Sequence, residues 1–123
     1  MNGFLNVLKA PGMTSSDVVV ALRRILHSKK IGHTGTLDPG AAGVLAVAVG
    51  KATRAIEYAA DVDKVYRCRL ILGVATDTDD LEGSTTYTHR GPLPDRAALG
   101  DAIDRYVGDI DQTPPDYSAV KID

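Results

Sequence analysis

Gly32-His33-Thr34-Gly35-Thr36-Leu37-Asp38-Pro39-Gly40 is a segment that neither a helix nor a regular strand accommodates easily. Three glycines permit backbone angles closed to other residues. Asp38 precedes Pro39, and the proline ring pushes the residue before it into an extended conformation. With Lys29, Lys30 and Ile31 in front, residues 29–40 read as a loop that presents one carboxylate from constrained backbone. Upstream, Val18, Leu22, Ile25 and Leu26 recur at helical spacing, so residues 16–28 read as an amphipathic helix. Thr14-Ser15-Ser16-Asp17 supplies its start, a hydroxyl followed three residues later by an acid. Downstream, GVLAVAV at 43–49 reads as a buried strand, and 51–60 as a short helix.

Further out, GFLNVL at 3–8 reads as a strand that runs into a Pro11-Gly12 turn. Residues 64–72 alternate, with Tyr66, Cys68, Leu70 and Leu72 on one side and Val65, Arg67, Arg69 and Ile71 on the other. This period of two predicts a strand with one buried face, Tyr66 included. TDTDDLEG at 76–83 is an acidic turn, and a helix is expected over 94–106. The tail TPPDYSAVKID opens on a Pro-Pro break and then resembles a strand. Strands and helices mix without a strict βαβ rhythm, which indicates an α+β sheet domain.

The bulk properties are those of a soluble globular domain: 123 residues, 44% hydrophobic and 24% charged. That length suits one domain at most. No apolar run is long enough for a membrane span, and the start Met1-Asn2-Gly3-Phe4 lacks the basic and apolar regions of a signal peptide. The single cysteine, Cys68, has no internal disulfide partner, which fits a reducing, cytoplasmic setting. The net charge of -2 is unevenly spread: residues 1–70 carry +5 and residues 71–123 carry -7. A basic first half suits a polyanion, although a mixed soluble surface explains the same asymmetry.

From the residues alone, Asp38 has two readings. It is a turn residue bonding to its own backbone, or a nucleophile or base held in a rigid loop. His33 is either a hydrogen-bonded structural residue or part of the same site. Tyr66 is either packed in a core or a platform on which a base stacks. Lys29, Lys30, Lys51, Arg54, Lys64, Arg67 and Arg69 are candidate phosphate contacts, each equally an ordinary surface residue. The three histidines and Cys68 lack zinc-type spacing, and Asp77, Asp79, Asp80 and Glu82 lack the full calcium-loop pattern, so no metal is expected.

Gly32 through Pro39, followed by Gly43-Val44-Leu45, resembles the active-site signature of TruB-type tRNA pseudouridine synthases. Four further segments agree in order and spacing: GFLNVLKAPGMTSSDVV at the start, Asp63 to Arg67, Leu72 to Gly83, and Pro114 to Lys121. The resemblance thus covers essentially the whole chain. It implies a mixed, mainly antiparallel sheet with flanking helices, of which residues 1–123 form the amino-terminal portion. The carboxy-terminal half of the catalytic domain and any RNA-binding domain are expected to be absent.

The implied activity is isomerisation of uridine to pseudouridine at position 55 in the T loop of tRNA, with no cofactor, metal or protein partner and with a monomeric enzyme. By the same resemblance Asp38 is the essential carboxylate, and Tyr66 stacks on the flipped base and assists proton transfer. His33 helps hold the RNA loop open, while Lys64, Arg67, Lys29 and Lys30 face RNA. Lys9, Gly35 and Pro39 support the site structurally, and Asp80 helps hold an active-site arginine. Family members continue beyond this segment and supply an arginine that pairs with the catalytic aspartate, so the 123 residues alone are expected to be inactive. Leu8, Ala10, Gly40 and Ala42 depart from the usual pattern. The competing reading is a non-catalytic RNA-binding or RNA-folding module.

Overall fold

A computed structural model describes residues 1–60 and 62–113. The chain forms two compact units, Met1–Tyr66 and a second that begins at Arg67. The first contains strand β1 (Gly3–Lys9), helix α1 (Ser15–Ile25), strands β2 (Ile31–His33) and β3 (Gly43–Val49), a 3-10 turn (Gly50–Ala55) and helix α2 (Ile56–Ala60).

The three strands form an antiparallel sheet in the order β1-β3-β2. Gly3 pairs with Val49 at one end and Lys9 with Gly43 at the other, while His33 pairs with Val47. Central position explains the apolar run of β3, in which Leu45, Val47, Ala48 and Val49 are buried. The strand is flanked on both edges and its Leu45, Val47 and Val49 face lies in the core, whereas Val44 on the other face is exposed. In β1 the pattern alternates: Leu5 and Val7 join the core, while Phe4, Asn6 and Leu8 are exposed. Val18 and Val19 of α1 close the core against Ile31, Leu45, Val47 and Val49. On the other face Ile56 approaches Gly32, where a Cβ would lie 2.8 Å from its Cδ1, so glycine leaves room for α2.

The start of α1 is as expected, with a capping box between Thr14 and Asp17. Its end is not. The helix stops at Ile25 rather than at residue 28, because His27 adopts a left-handed backbone (φ 48°) that turns the chain toward β2. Ile25 is consequently exposed and Val19 takes a core position instead. Arg23 is not simply solvated either, since its Nη2 donates to the Ile31 carbonyl at 3.0 Å. The expected loop 29–40 contains strand β2, and the expected helix 51–60 begins as a 3-10 turn.

The second unit contains a hairpin of β4 (Val74–Thr76) and β5 (Thr85–Thr88), with an irregularity at Ala75/Thr76, and helix α3 (Arg96–Asp104). The acidic segment forms the connecting turn. Asp77 accepts from Ser84 N–H at 2.8 Å, and Asp80 accepts from the Thr78 hydroxyl at 2.6 Å and Glu82 N–H at 2.8 Å. Residues 64–72 are not a strand, which corrects the sequence expectation: Tyr66, Cys68 and Leu70 are exposed. Alternation confers the capacity to pair, but a strand forms only where a neighbouring strand takes up its N–H and C=O groups, and neither of the two sheets among the described residues includes this segment. The Pro114–Lys121 segment lies outside the described residues.

Candidate active site

Asp38 lies in the irregular segment between β2 and β3, and its side chain is exposed. The chain on both sides of it is tied down. Leu37 packs partly into the core. Its N–H donates to Ser15 Oγ at 2.9 Å, and the same hydroxyl donates back to the Leu37 carbonyl at 3.2 Å. On the far side, the Pro39 carbonyl accepts from Gly12 N–H at 2.8 Å and from Lys9 Nζ at 3.3 Å. Asp38 closes its own turn by accepting from Ala41 N–H at 3.0 Å. The backbone is thus held from three directions while the carboxylate faces outward, with no hydrogen bond or ion pair to it among the described residues.

Lys9 is fully buried at the end of β1. A buried ammonium is tolerable only if its three donors are satisfied. Here they are, by the carbonyls of Met13 (2.7 Å), Ala10 (3.1 Å) and Pro39 (3.3 Å). One cation therefore gathers the strand end, the turn after it and the segment carrying Asp38.

His33 ends β2, and its Nδ1 is buried without a hydrogen-bond partner. Thr34 N–H donates to the Ala46 carbonyl at 3.0 Å, extending the ladder one residue toward the loop. The Lys64 stem lies over Gly35, its Cε 3.9 Å from where a Cβ would stand. Lys9, Ser15, Gly35, Pro39 and Lys64 are thus assembled around the segment that bears Asp38. Tyr66 is 65% exposed, which corrects its expected place on a buried face. Lys29 and Lys30 are exposed between α1 and β2, with the Lys30 carbonyl accepting from Gly50 N–H at 2.8 Å. Arg67 and Asp80 belong to the second unit. The Asp80 carboxylate serves its own turn, and the hydrogen bond from the Thr78 hydroxyl, followed by that from Glu82 N–H, lowers its pKa below the usual carboxylate range. In the sequence Ser15 carries no signal of its bonds to Leu37, because it stands beside Thr14 within the helix start. Its partner is 22 residues away.

Among the described residues no cluster of three or more His, Cys, Asp or Glu could hold a metal ion, and no helix is long and apolar enough to cross a membrane.

Residues 23–123 match the model of the TruB family pseudouridylate synthase N-terminal domain. The chain is 50% identical over 121 residues to tRNA pseudouridine synthase B of Clostridium perfringens, covering 98% of this chain and 41% of that protein. It is 52% identical over 122 residues to tRNA pseudouridine synthase B of Heliobacterium modesticaldum, covering 99% of this chain and 40% of that one. The chain therefore spans about two fifths of the length of these curated relatives. In the solved structures, a chain of a Cbf5–Nop10–Gar1 complex superposes with a TM-score of 0.64 at 31% identity, covering 97% of this chain and 31% of the other. The chain belongs to the TruB family of pseudouridylate synthases.

Proposed function

We propose that the intact protein converts uridine to pseudouridine in tRNA, at position 55 of the T loop, with Asp38 as the catalytic carboxylate. The observation that carries this is the exposed Asp38 side chain on backbone anchored by Ser15, Gly12 and Lys9. The names of the relatives support tRNA as the substrate. The reaction is an isomerisation: the bond from ribose to the base nitrogen breaks, the uracil rotates, and a carbon–carbon bond forms. Asp38 assists either by attacking the ribose carbon or by taking a proton from the sugar. The uridine must first leave its stack, at a cost of a few kcal/mol.

Tyr66 offers an exposed ring on which that base stacks, which returns about 1–3 kcal/mol. His33 occupies the space the base vacates, and Lys64, Arg67, Lys29 and Lys30 contact phosphates. Lys9, Gly35 and Pro39 hold the loop, and Asp80 helps hold an active-site arginine. No metal or cofactor enters the reading.

Residues 1–123 form the amino-terminal portion of the catalytic domain and by themselves do not turn over tRNA. Their share of the relatives' length supports this. The reading also includes a monomer acting in the cytoplasm, where a lone exposed Cys68 is stable as a thiol.

The test is to incubate the intact protein with unmodified tRNA transcript and map pseudouridine by carbodiimide modification and primer extension. One product in the T loop at position 55 is expected, and none from a transcript bearing cytidine there. Product at another position, or no product, would overturn the assignment.

A further inference from the structure

We propose that Ser15 is a positioning residue for the reaction, its hydroxyl setting the direction of the Asp38 carboxylate through the backbone of Leu37. The inference rests on Asp38 being the catalytic group.

The hydroxyl of a serine at a helix start ordinarily caps the helix. Ser15 does not do so, because Thr14 already accepts from Asp17 N–H and Asp17 bonds back to Thr14. Ser15 Oγ is turned to Leu37 and is used twice, accepting from its N–H at 2.9 Å and donating to its carbonyl at 3.2 Å. A hydroxyl has the donor and acceptor capacity for this. Ser15 is only 3% exposed, so water does not readily substitute for either bond.

The two groups belong to different peptide planes. The Leu37 N–H lies in the plane shared with Thr36, and the Leu37 carbonyl in the plane that contains the Asp38 nitrogen. Fixing both leaves little freedom at Leu37 and fixes the plane from which Asp38 departs. On the other side Pro39 restricts the Asp38 backbone, and its carbonyl is held by Gly12 and Lys9. The carboxylate therefore emerges from backbone specified before and after it. Lys9 and Gly12 secure the later half, and Ser15 secures the earlier half through both of its bonds to Leu37. Misplacement of a reacting group by about 1 Å costs up to about a hundredfold in rate. A clamp on the adjacent peptide thus matters to the chemical step, while leaving the RNA-facing surface unaltered.

The test compares the intact protein with its Ser15→Ala, Ser15→Thr and Asp38→Asn variants. Hydrogen–deuterium exchange of the 34–42 segment, kcat, and tRNA Kd are measured for each. In Ser15→Ala the segment should exchange about tenfold faster while β3 stays protected. Its kcat should fall about 10- to 100-fold with tRNA Kd changed by less than about twofold. Ser15→Thr, which restores a hydroxyl, should recover most of kcat. If Ser15→Ala loosens the segment but leaves kcat unchanged, Ser15 does not position the carboxylate, even though Asp38→Asn is inactive. Turnover by Asp38→Asn would overturn the catalytic reading and the positioning role with it.

Discussion

Replacing Lys9 with methionine removes the buried ammonium and keeps an unbranched stem of similar length. Two effects oppose each other. Burying a cation costs several kcal/mol, which the variant no longer incurs. Against this, three carbonyls lose a charged donor, each such bond contributing about 1.5–3 kcal/mol. The three are not equivalent. The Pro39 carbonyl retains Gly12 N–H at 2.8 Å, and its bond to Lys9 is the longest at 3.3 Å. Ala10 is exposed, so its carbonyl can turn to water. The Met13 carbonyl, with the shortest bond at 2.7 Å, loses the most. A partly buried acceptor left unsatisfied costs about 1–3 kcal/mol. The net expectation is a destabilisation of about 2 kcal/mol, read from the urea midpoint of the intact protein at constant m-value. Faster amide exchange should be confined to residues 10–13 and 38–41. A loss below about 0.5 kcal/mol, the range of ordinary surface substitutions, would refute the view that this ammonium ties the two segments together.

Other consequences are equally direct. Thr14→Ala removes the hydroxyl that accepts from Asp17 N–H at 3.1 Å, and should cost about 1 kcal/mol in the same denaturation assay. Hydrogen bonds from the Thr14 hydroxyl and then its backbone N–H lower the pKa of Asp17. A carboxylate with a depressed folded-state pKa contributes stability above its unfolded pKa and loses it as pH falls through the folded one. Acid titration of stability should therefore be shallower in Asp17→Asn, on the acid side of the ordinary carboxylate range. Gly50 has φ +64°, and a Cβ there would run into Asn2 and the Met1 carbonyl. Gly50→Ala should cost more than about 1 kcal/mol from the left-handed backbone alone, measurable as a lowered Tm.

Features with a local physical signature could be read from the chain. The run at 43–49 marks an inner strand, alternation marks β1, and Thr14 with Asp17 marks the start of α1. The Asp-Pro-Gly turn likewise announced a constrained carboxylate. Features that depend on distant partners could not be read in this way. Three residues with a central glycine carry no periodicity, so β2 emerges only from pairing with β3. Strand β4 is only three residues long and β5 is mostly threonine, so neither carries a strong alternating pattern beside the acidic turn between them. Residues 64–72 show the opposite case, a strand pattern that joins neither sheet among the described residues, because alternation does not supply a neighbouring strand. Lys9 and Ser15 act on residues 30 and 22 positions away, and only the fold brings those carbonyls to them.

The carboxylate at position 38 can be probed most directly by neutralising it without changing its shape. In single-turnover reactions with unmodified tRNA, Asp38→Asn in the intact protein should lower the rate of pseudouridine formation on the order of a thousandfold or more. Binding of the same tRNA should stay within about threefold of the parent protein, because in the proposed mechanism the lost group acts on the reacting sugar and not on the phosphates. Pseudouridine formation at close to the parent rate would contradict the account.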